Sequence, residues 1–167
     1  ELCQIQPLYY DSLSNYKKTL AQRNTYLKEE AIDNSILDLW DVQLAQYGAR
    51  IITIRDQFVR KISGYSGKIH SSITNEKESL FLEYNPNIDL KDDIEEQEGY
   101  FYDEIKKSFK NDLRQRTTTK GPHKDDISFY VNGINMRSFG SQGQQRTCAL
   151  ALKLAELNLI KEETEED

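Results

Sequence analysis

Three features of this 167-residue chain predict a mainly helical α+β fold. Large apolar residues recur every seven positions between 37 and 58. Two short segments, 79–84 and 127–131, alternate as strands do, and Asn132-Gly133 is a strong two-residue hairpin turn. The chain is acidic, with 22 basic and 28 acidic side chains and a formal charge of −6. Hydrophobic residues make up 37%, including ten Tyr and six Phe, which is too much apolar and aromatic surface for a disordered tail. No run of about 18 apolar residues occurs, so no membrane span is expected. Cys3, Cys148, His70 and His123 are too few and too scattered for a disulfide scaffold or a zinc set. Such cysteine usage suits a reducing, cytosolic setting.

Composition and periodicity divide the chain into a helical lobe (1–78), a strand with an acidic linker and a basic helix (79–126), and a β-hairpin with a final helix (127–167). In the lobe, Leu13, Leu20 and Leu27 recur every seven residues. Tyr9 and Tyr16 lie between them, and Arg23 interrupts that second row. A fuller heptad follows, with Leu37, Leu44, Ile51 and Phe58 at one position and Trp40, Tyr47 and Ile54 at the other. These form one stripe on a helix of roughly eight turns. Asp33-Asn34-Ser35 separates the two patterns and offers an N-cap. Two long helices with a short joint predict an antiparallel hairpin. The pattern weakens at Gly64 and Gly67, with helix resuming briefly towards Thr74.

Ser79 to Tyr84 alternates as a strand and stops at Asn85-Pro86. Residues 89–104 carry eight carboxylates and one Lys, and read as a solvated linker and helix start. Ile105, Phe109 and Leu113 mark an amphipathic helix. The charge then inverts: Lys106, Lys107, Lys110, Arg114, Arg116, Lys120 and Lys124 are seven basic residues, with only Asp112 among them before Asp125. Such a run suits either phosphate contacts or an ordinary solvated face. A strand from Ile127 to Val131 turns at Asn132-Gly133 and returns through Ile134 to Met136. From Ser141 a helix is expected with Leu150, Leu154 and Leu157 on one face. Tyr100, Phe101 and Tyr102 could stack on bases, although core packing explains them as well.

The segment richest in chemistry is Ser138-Phe139-Gly140-Ser141-Gln142-Gly143-Gln144-Gln145-Arg146-Thr147. Its two glycines let a ligand approach the backbone. Free N–H groups at the helix start attract an anion, Ser and Gln add neutral donors, and Arg146 adds a phosphate-shaped fork. The simpler alternative is a capping box, in which Ser141 caps the helix and Gln144 reaches back.

Phe139-Gly140-Ser141-Gln142-Gly143-Gln144-Gln145-Arg146-Thr147 resembles the ABC-type signature motif as it stands in the RecF family of bacterial DNA repair ATPases. Gly140 occupies the place of the more general Leu, which favours RecF over its SMC relatives. Gly121-Pro122-His123-Lys124-Asp125-Asp126 resembles a second motif of that family, of unassigned role. Tyr16 to Asn24 and Trp40 to Leu44 look like its helical lobe. The resemblance implies an ABC-type ATPase head with a helical lobe inserted in its nucleotide-binding core. Gly64-Tyr65-Ser66-Gly67-Lys68 has the wrong spacing for a Walker A loop, and no Walker B strand is found, Ile51 to Asp56 lying inside the heptad helix. The expectation is therefore a fragment of a longer protein, incomplete as a P-loop domain and without ATPase activity by itself.

For the parent, the resemblance implies a weak, DNA-stimulated ATPase that uses ATP and Mg2+ in an ATP-dependent homodimer. The signature of one subunit would meet the nucleotide held by the other. Ser141 would give its hydroxyl and Gly143 its N–H to the γ-phosphate, with Gln144, Gln145 and Arg146 lining the joint. It also implies binding to gapped DNA and to junctions of single-stranded and duplex DNA. RecO and RecR would be partners in loading RecA, during recombinational repair and SOS induction in the bacterial cytoplasm and nucleoid. Two alternatives stand beside this: a non-enzymatic helical module that docks a repair partner, and a fragment of an SMC-like structural ATPase.

Overall fold

The computed structural model describes residues 6–165, with side chains described through 162. Cys3, Glu166 and Asp167 lie outside what it describes, as do the side chains of Glu163 and Glu165. In order, the elements are α1 (Pro7–Tyr26), α2 (Asn34–Ile73), β1 (Leu80–Asn85), α3 (Ile94–Gln115), a 3-10 turn (Pro122–Lys124), β2 (Asp126–Val131), β3 (Ile134–Asn135), the four-residue α4 (Met136–Phe139) and α5 (Gln142–Glu165). The fold is α+β and mainly helical, with one small antiparallel sheet.

Two compact units divide the chain. One takes residues up to Ile54 together with Pro86–Asp125; the other takes Arg55–Asn85 and everything from Asp126. This differs from the division at 78 and 126 read along the sequence. The reasons are that β1 pairs with β2, and that α3 packs on the α1–α2 hairpin within one unit.

In the hairpin unit, α1 and α2 run antiparallel. Cross-contacts rise along one helix as they fall along the other: Thr19 bonds Gln43, Arg23 bonds Asp41, and the Tyr26 ring lies 5.1 Å from that of Trp40. Asp33 starts α2 by accepting hydrogen bonds from the Ser35 N–H and hydroxyl. These bonds hold its carboxyl below its usual pKa. The expected Leu row is only half-buried at Leu13 and Leu20, while Tyr9, Tyr16 and Arg23 are buried. Arg23 therefore continues the inner row rather than interrupting it. On α2, Leu37, Leu44 and Ile51 are buried as expected. Their true companions are Asp41 and Gly48, one residue beyond Trp40 and Tyr47, which are only half-buried. Gly48 is required by packing, because a Cβ there would stand 2.0 Å from the Phe101 ring. Helix α3 begins at Asp93, which accepts the Glu96 N–H at 2.7 Å, and the acidic run supplies Glu95 and Glu96 to its first turn.

In the sheet unit the strand order is β1-β2-β3, with Leu80 opposite Val131 and Asn85 opposite Asp126. Asn132 (φ 51) and Gly133 (φ 78) both take positive φ, as the hairpin turn requires. The returning strand is only Ile134–Asn135, because Asn135 caps α4 by accepting the Arg137 N–H. Gly64 and Gly67 do not weaken α2, which runs unbroken for 40 residues. Gly67 lets the helix approach the β1 edge: a Cβ there would sit 2.9 Å from the Leu80 carbonyl. Ser63 accepts the Leu82 N–H at 2.9 Å, so the edge strand is partly satisfied by the helix. The core gathers Val59, Ile62, Leu80, Leu82, Val131, Met136, Ala151 and Leu159. The face α5 turns to it is Cys148, Ala151, Ala155 and Leu159; Leu150, Leu154 and Leu157 are exposed. The expected leucine face of this helix is thus the outer one.

Candidate functional site

The hairpin, α4 and the start of α5 present residues 140–146. Gly140 follows α4 where no side chain fits, since a Cβ would lie 2.6 Å from the Met136 carbonyl and 2.9 Å from its sulfur. The capping box then forms in full. The Gln144 N–H donates to Ser141 Oγ at 3.2 Å, and the Ser141 N–H donates to Gln144 Oε1 at 3.1 Å. Gln144 Nε2 also donates to Glu78 Oε1 at 2.9 Å, which ties the helix start to the segment before β1. Gln145 spends its amide on the Met136 and Gly140 carbonyls, at 3.3 and 3.2 Å. It thereby braces the turn.

Ser141, Gly143 and Arg146 are exposed. The space above Gly143 is open, its nearest neighbour being Ser141 Oγ at 3.9 Å from where a Cβ would stand. As at any helix start, the N–H groups of Gln142 and Gly143 have no acceptor within the helix. The capping box and the anion-binding potential are therefore compatible. Ser141 Oγ accepts from Gln144 and keeps its own proton, while Gln142, Gly143 and Arg146 are exposed.

Gly121 to Asp125 of the second motif belong to the hairpin unit and are structural in their contacts. Gly121 has φ 135, and a Cβ there would lie 2.3 Å from the Tyr16 hydroxyl. Its N–H donates to Asn87 Oδ1 at 2.9 Å, and Pro122 is buried. His123 Nε2 lies 3.0 Å from the Thr118 carbonyl, which can only accept. Nε2 therefore carries the proton, and Nδ1 accepts from the Tyr16 hydroxyl at 2.8 Å. The residue keeps substantial solvent exposure, yet partial burial pushes its pKa below the ordinary value. Asp125 Oδ1 accepts the Asn87 N–H. The motif pins the turn between α3 and β2.

The basic run is divided by its partners. Lys106 bridges Asp38 and Asp41, Lys107 pairs with Glu104 at 2.9 Å, and Lys120 reaches Glu104 at 3.9 Å. Burial lowers the Lys106 pKa, but the Asp38 and Asp41 hydrogen bonds outweigh it and leave it raised. Lys110, Arg114, Arg116 and Lys124 are exposed, with no carboxylate partner among the described residues. Phe101 is fully buried, while the Tyr102 and Tyr100 hydroxyls bond Asp38 and Asp89.

What sequence reasoning missed is a buried ionic cluster. Arg23 Nε donates to Asp41 at 2.7 Å, and its Nη1 donates to Asp112 and to the Thr118 hydroxyl, both at 2.8 Å. Asn24 Oδ1 accepts from the Thr118 N–H and hydroxyl. Only Arg23 falling on the inner row could have signalled it. Among the described residues no helix is long and apolar enough to cross a membrane, and no group of His, Cys, Asp and Glu could hold a metal ion.

A helical lobe, together with a β-hairpin that feeds a capped and exposed signature helix, defines part of an ABC-type ATPase protein. Two solved structures share this fold: the recombination mediator protein RecF with ATP, at TM-score 0.92, and RecF-ATPrS, at TM-score 0.91. Each is 36% identical, and they cover 98% and 96% of this chain but 45% and 44% of their own. Curated relatives called DNA replication and repair protein RecF are 45% identical in Agathobacter rectalis (96% of this chain, 43% of the relative) and 45% in Streptococcus suis (99% and 45%). In Clostridioides difficile the identity is 42%, over 99% of this chain and 45% of the relative. No family model matches. The chain belongs to the RecF family, and it spans a little under half the length of these relatives.

Proposed function

We propose that this chain supplies the signature half of a composite ATP site in a RecF-type DNA replication and repair protein. ATP, with Mg2+, would be held by the Walker A loop of a second subunit. The observation that carries this reading is the reciprocal Ser141–Gln144 cap. It fixes Ser141 Oγ as an acceptor towards its own helix, so the hydroxyl proton is available to a phosphate oxygen. The Gly143 N–H and the positive end of the α5 dipole add to the same attraction. Arg146 stands one turn on and adds a charge suited to phosphate. Gln145, held by two carbonyls, serves as a brace. Because the nucleotide contacts both subunits, ATP favours the dimer by mass action, and hydrolysis releases it.

The dimer would grip DNA, with Lys110, Arg114, Arg116 and Lys124 as the cations not already neutralised by neighbouring carboxylates. Lys106, Lys107 and Lys120 serve the fold first and DNA second. Gapped and junction DNA, cooperation with RecO and RecR in loading RecA, and a role in SOS induction in the bacterial cytoplasm complete the reading. The relatives' names support the replication and repair role, and the RecFOR pathway named for the solved structures supports RecO and RecR as its partners.

Ser141→Arg in a full-length RecF protein carrying this sequence tests the central step. It should abolish ATP-driven dimerisation in sedimentation while leaving ATP binding by the monomer nearly intact. A mutant that dimerises with ATP as the parent does would overturn the composite site.

A further inference from the structure

The cap at Ser141 is completed by a residue far from the signature run. Glu78 lies in the turn between α2 and β1, and three parts of the sheet unit converge on it. Thr74, just past the end of α2, donates its hydroxyl to the His70 carbonyl at 2.9 Å and accepts the Glu78 N–H at 3.3 Å. The next residue, Ser79, donates its N–H to Asn132 Oδ1 in the β2–β3 turn at 2.9 Å. The Glu78 side chain then meets α5, where Gln144 Nε2 donates to its Oε1 at 2.9 Å. With the main chain held from two sides, and the side chain 23% exposed, this carboxylate is a fixed acceptor.

Its second oxygen is also occupied. Glu78 Oε2 lies 3.8 Å from His70 Nε2, and Cys148 Sγ, one turn beyond Gln144 on α5, lies 3.8 Å from the same nitrogen. A carboxylate only accepts, which favours the His70 proton on Nε2. His70 is fully buried, and its Nδ1 has no hydrogen-bond partner among the described residues. An aliphatic side chain would fill the place without leaving a nitrogen unpaired. What the imidazole adds is a polar neighbour for Glu78. Burial first, and the Glu78 charge second, push the Cys148 thiol up, so the carboxylate is the charge of this cluster.

The contact with Gln144 has a direction. An amide can turn either its oxygen or its NH2 towards a neighbour, but a carboxylate accepts only. Glu78 therefore draws the Gln144 NH2 and leaves Oε1 for the Ser141 N–H, which is the half of the cap that the Gln144 side chain supplies. With a neutral or shorter residue at 78, that amide is free to turn over or swing away.

We propose that Glu78 is a positioning residue of the composite ATP site: by fixing the Gln144 amide, it holds the Ser141 hydroxyl and the Gly143 N–H where the γ-phosphate of ATP on a second subunit would meet them. This role rests on the reading of Ser141 and Gly143 as the signature half of that site.

The test uses a full-length RecF protein carrying this sequence, with ATP as the probe. Glu78→Ala should raise the ATP concentration for half-maximal dimerisation in sedimentation about tenfold, as for loss of a charge-assisted hydrogen bond, with ATP binding by the monomer unchanged. Gln144→Ala should shift it about as far. The double variant should shift it no further than Gln144→Ala alone, because both changes break the same link. Additive shifts would mean that Glu78 acts through the fold at large, and would overturn the proposal. Glu78→Gln keeps the size and an acceptor but loses the charge, so it should shift the midpoint about threefold, and it carries the test where the alanine variant does not fold. If the folded Glu78 variants dimerise at the parent's ATP concentration, the role of Glu78 is overturned and the composite site stands. If the unsubstituted protein does not dimerise with ATP, the composite site itself fails, and the role of Glu78 with it.

Discussion

The hairpin unit buries Arg23 between Asp41 and Asp112 at its centre, whereas the sheet unit gathers Val59, Ile62, Leu80, Leu82, Val131 and Leu159 into an aliphatic cluster. In the first, position depends on directional bonds: each Arg23 nitrogen that pairs does so within 2.8 Å, and Thr118 and Asn24 tie the loop after α3 to α1. In the second, position depends on shape, with small residues at Gly67, Ala151 and Ala155 letting helices lie close. The polar exceptions there are Ser63, Ser66 and His70, and Ser63 serves the β1 edge. A polar centre accepts one arrangement of its helices, because any other leaves charge unpaired. An aliphatic centre tolerates more.

The largest test of this contrast is Arg23→Met. It removes the cation, leaving the buried Asp112 carboxylate without its ion pair and Asp41 with Lys106 alone, for which a loss of about 3–5 kcal/mol is expected. Urea denaturation measures it. A loss below about 1 kcal/mol would mean that water reaches the cluster and that its specificity comes from packing instead. In the aliphatic unit, Ile62→Val should cost only about 0.5–1.5 kcal/mol, since it removes one methylene and no bond partner.

These two centres were not equally legible. The aliphatic one was anticipated in its strands, because Leu80 and Leu82 alternate with polar neighbours and Asn132-Gly133 turns with the required positive φ. The Leu37, Leu44 and Ile51 row of α2 was also readable. Its companion row was misplaced by one residue, because Asp41 and Gly48 score as solvent positions. Asp41 is inside through Arg23, and Gly48 through Phe101, and both partners lie far away in sequence. The leucines of α5 share a face as their spacing indicates, but spacing identifies a face and not the side on which the core lies. The helix start at Ser141 was visible as Ser-x-x-Gln, and its likeness to a signature motif came from the whole run Phe139 to Thr147. The Glu78 bond to Gln144 spans 66 residues and was beyond local reading.

A smaller effect separates the units by pH. Partial burial lowers the His123 pKa in the folded hairpin unit relative to its ordinary value of 6.5. A folded pKa below the unfolded one means that the unfolded chain takes up the proton first. The stabilising contribution is then complete above about pH 6.5 and is lost as pH falls towards and through the folded value. His123→Gln should remove this component, so its denaturation midpoint should fall less than that of the parent chain between pH 7.5 and 5.5. Equal falls would mean that the Tyr16 and Thr118 contacts hold the imidazolium as readily as the imidazole.

The smallest effect is expected on the α5 face that the leucine spacing marks and that the structure leaves exposed. Leu150, Leu154 and Leu157 are 51%, 38% and 56% exposed. Leu154→Gln keeps a good helix former and gives up little burial, so stability should change by no more than about 0.5 kcal/mol. The same change at a buried α5 position such as Leu159 would place an amide among aliphatic groups and cost several times more. Parallel urea titrations of the two variants decide between the faces. If Leu154→Gln proved as costly as Leu159→Gln, the outer leucines would have to be covered in solution, and sedimentation at several concentrations would show whether another copy of the chain covers them. If it costs nothing, α5 carries its apolar face outward and the aliphatic centre is complete without it.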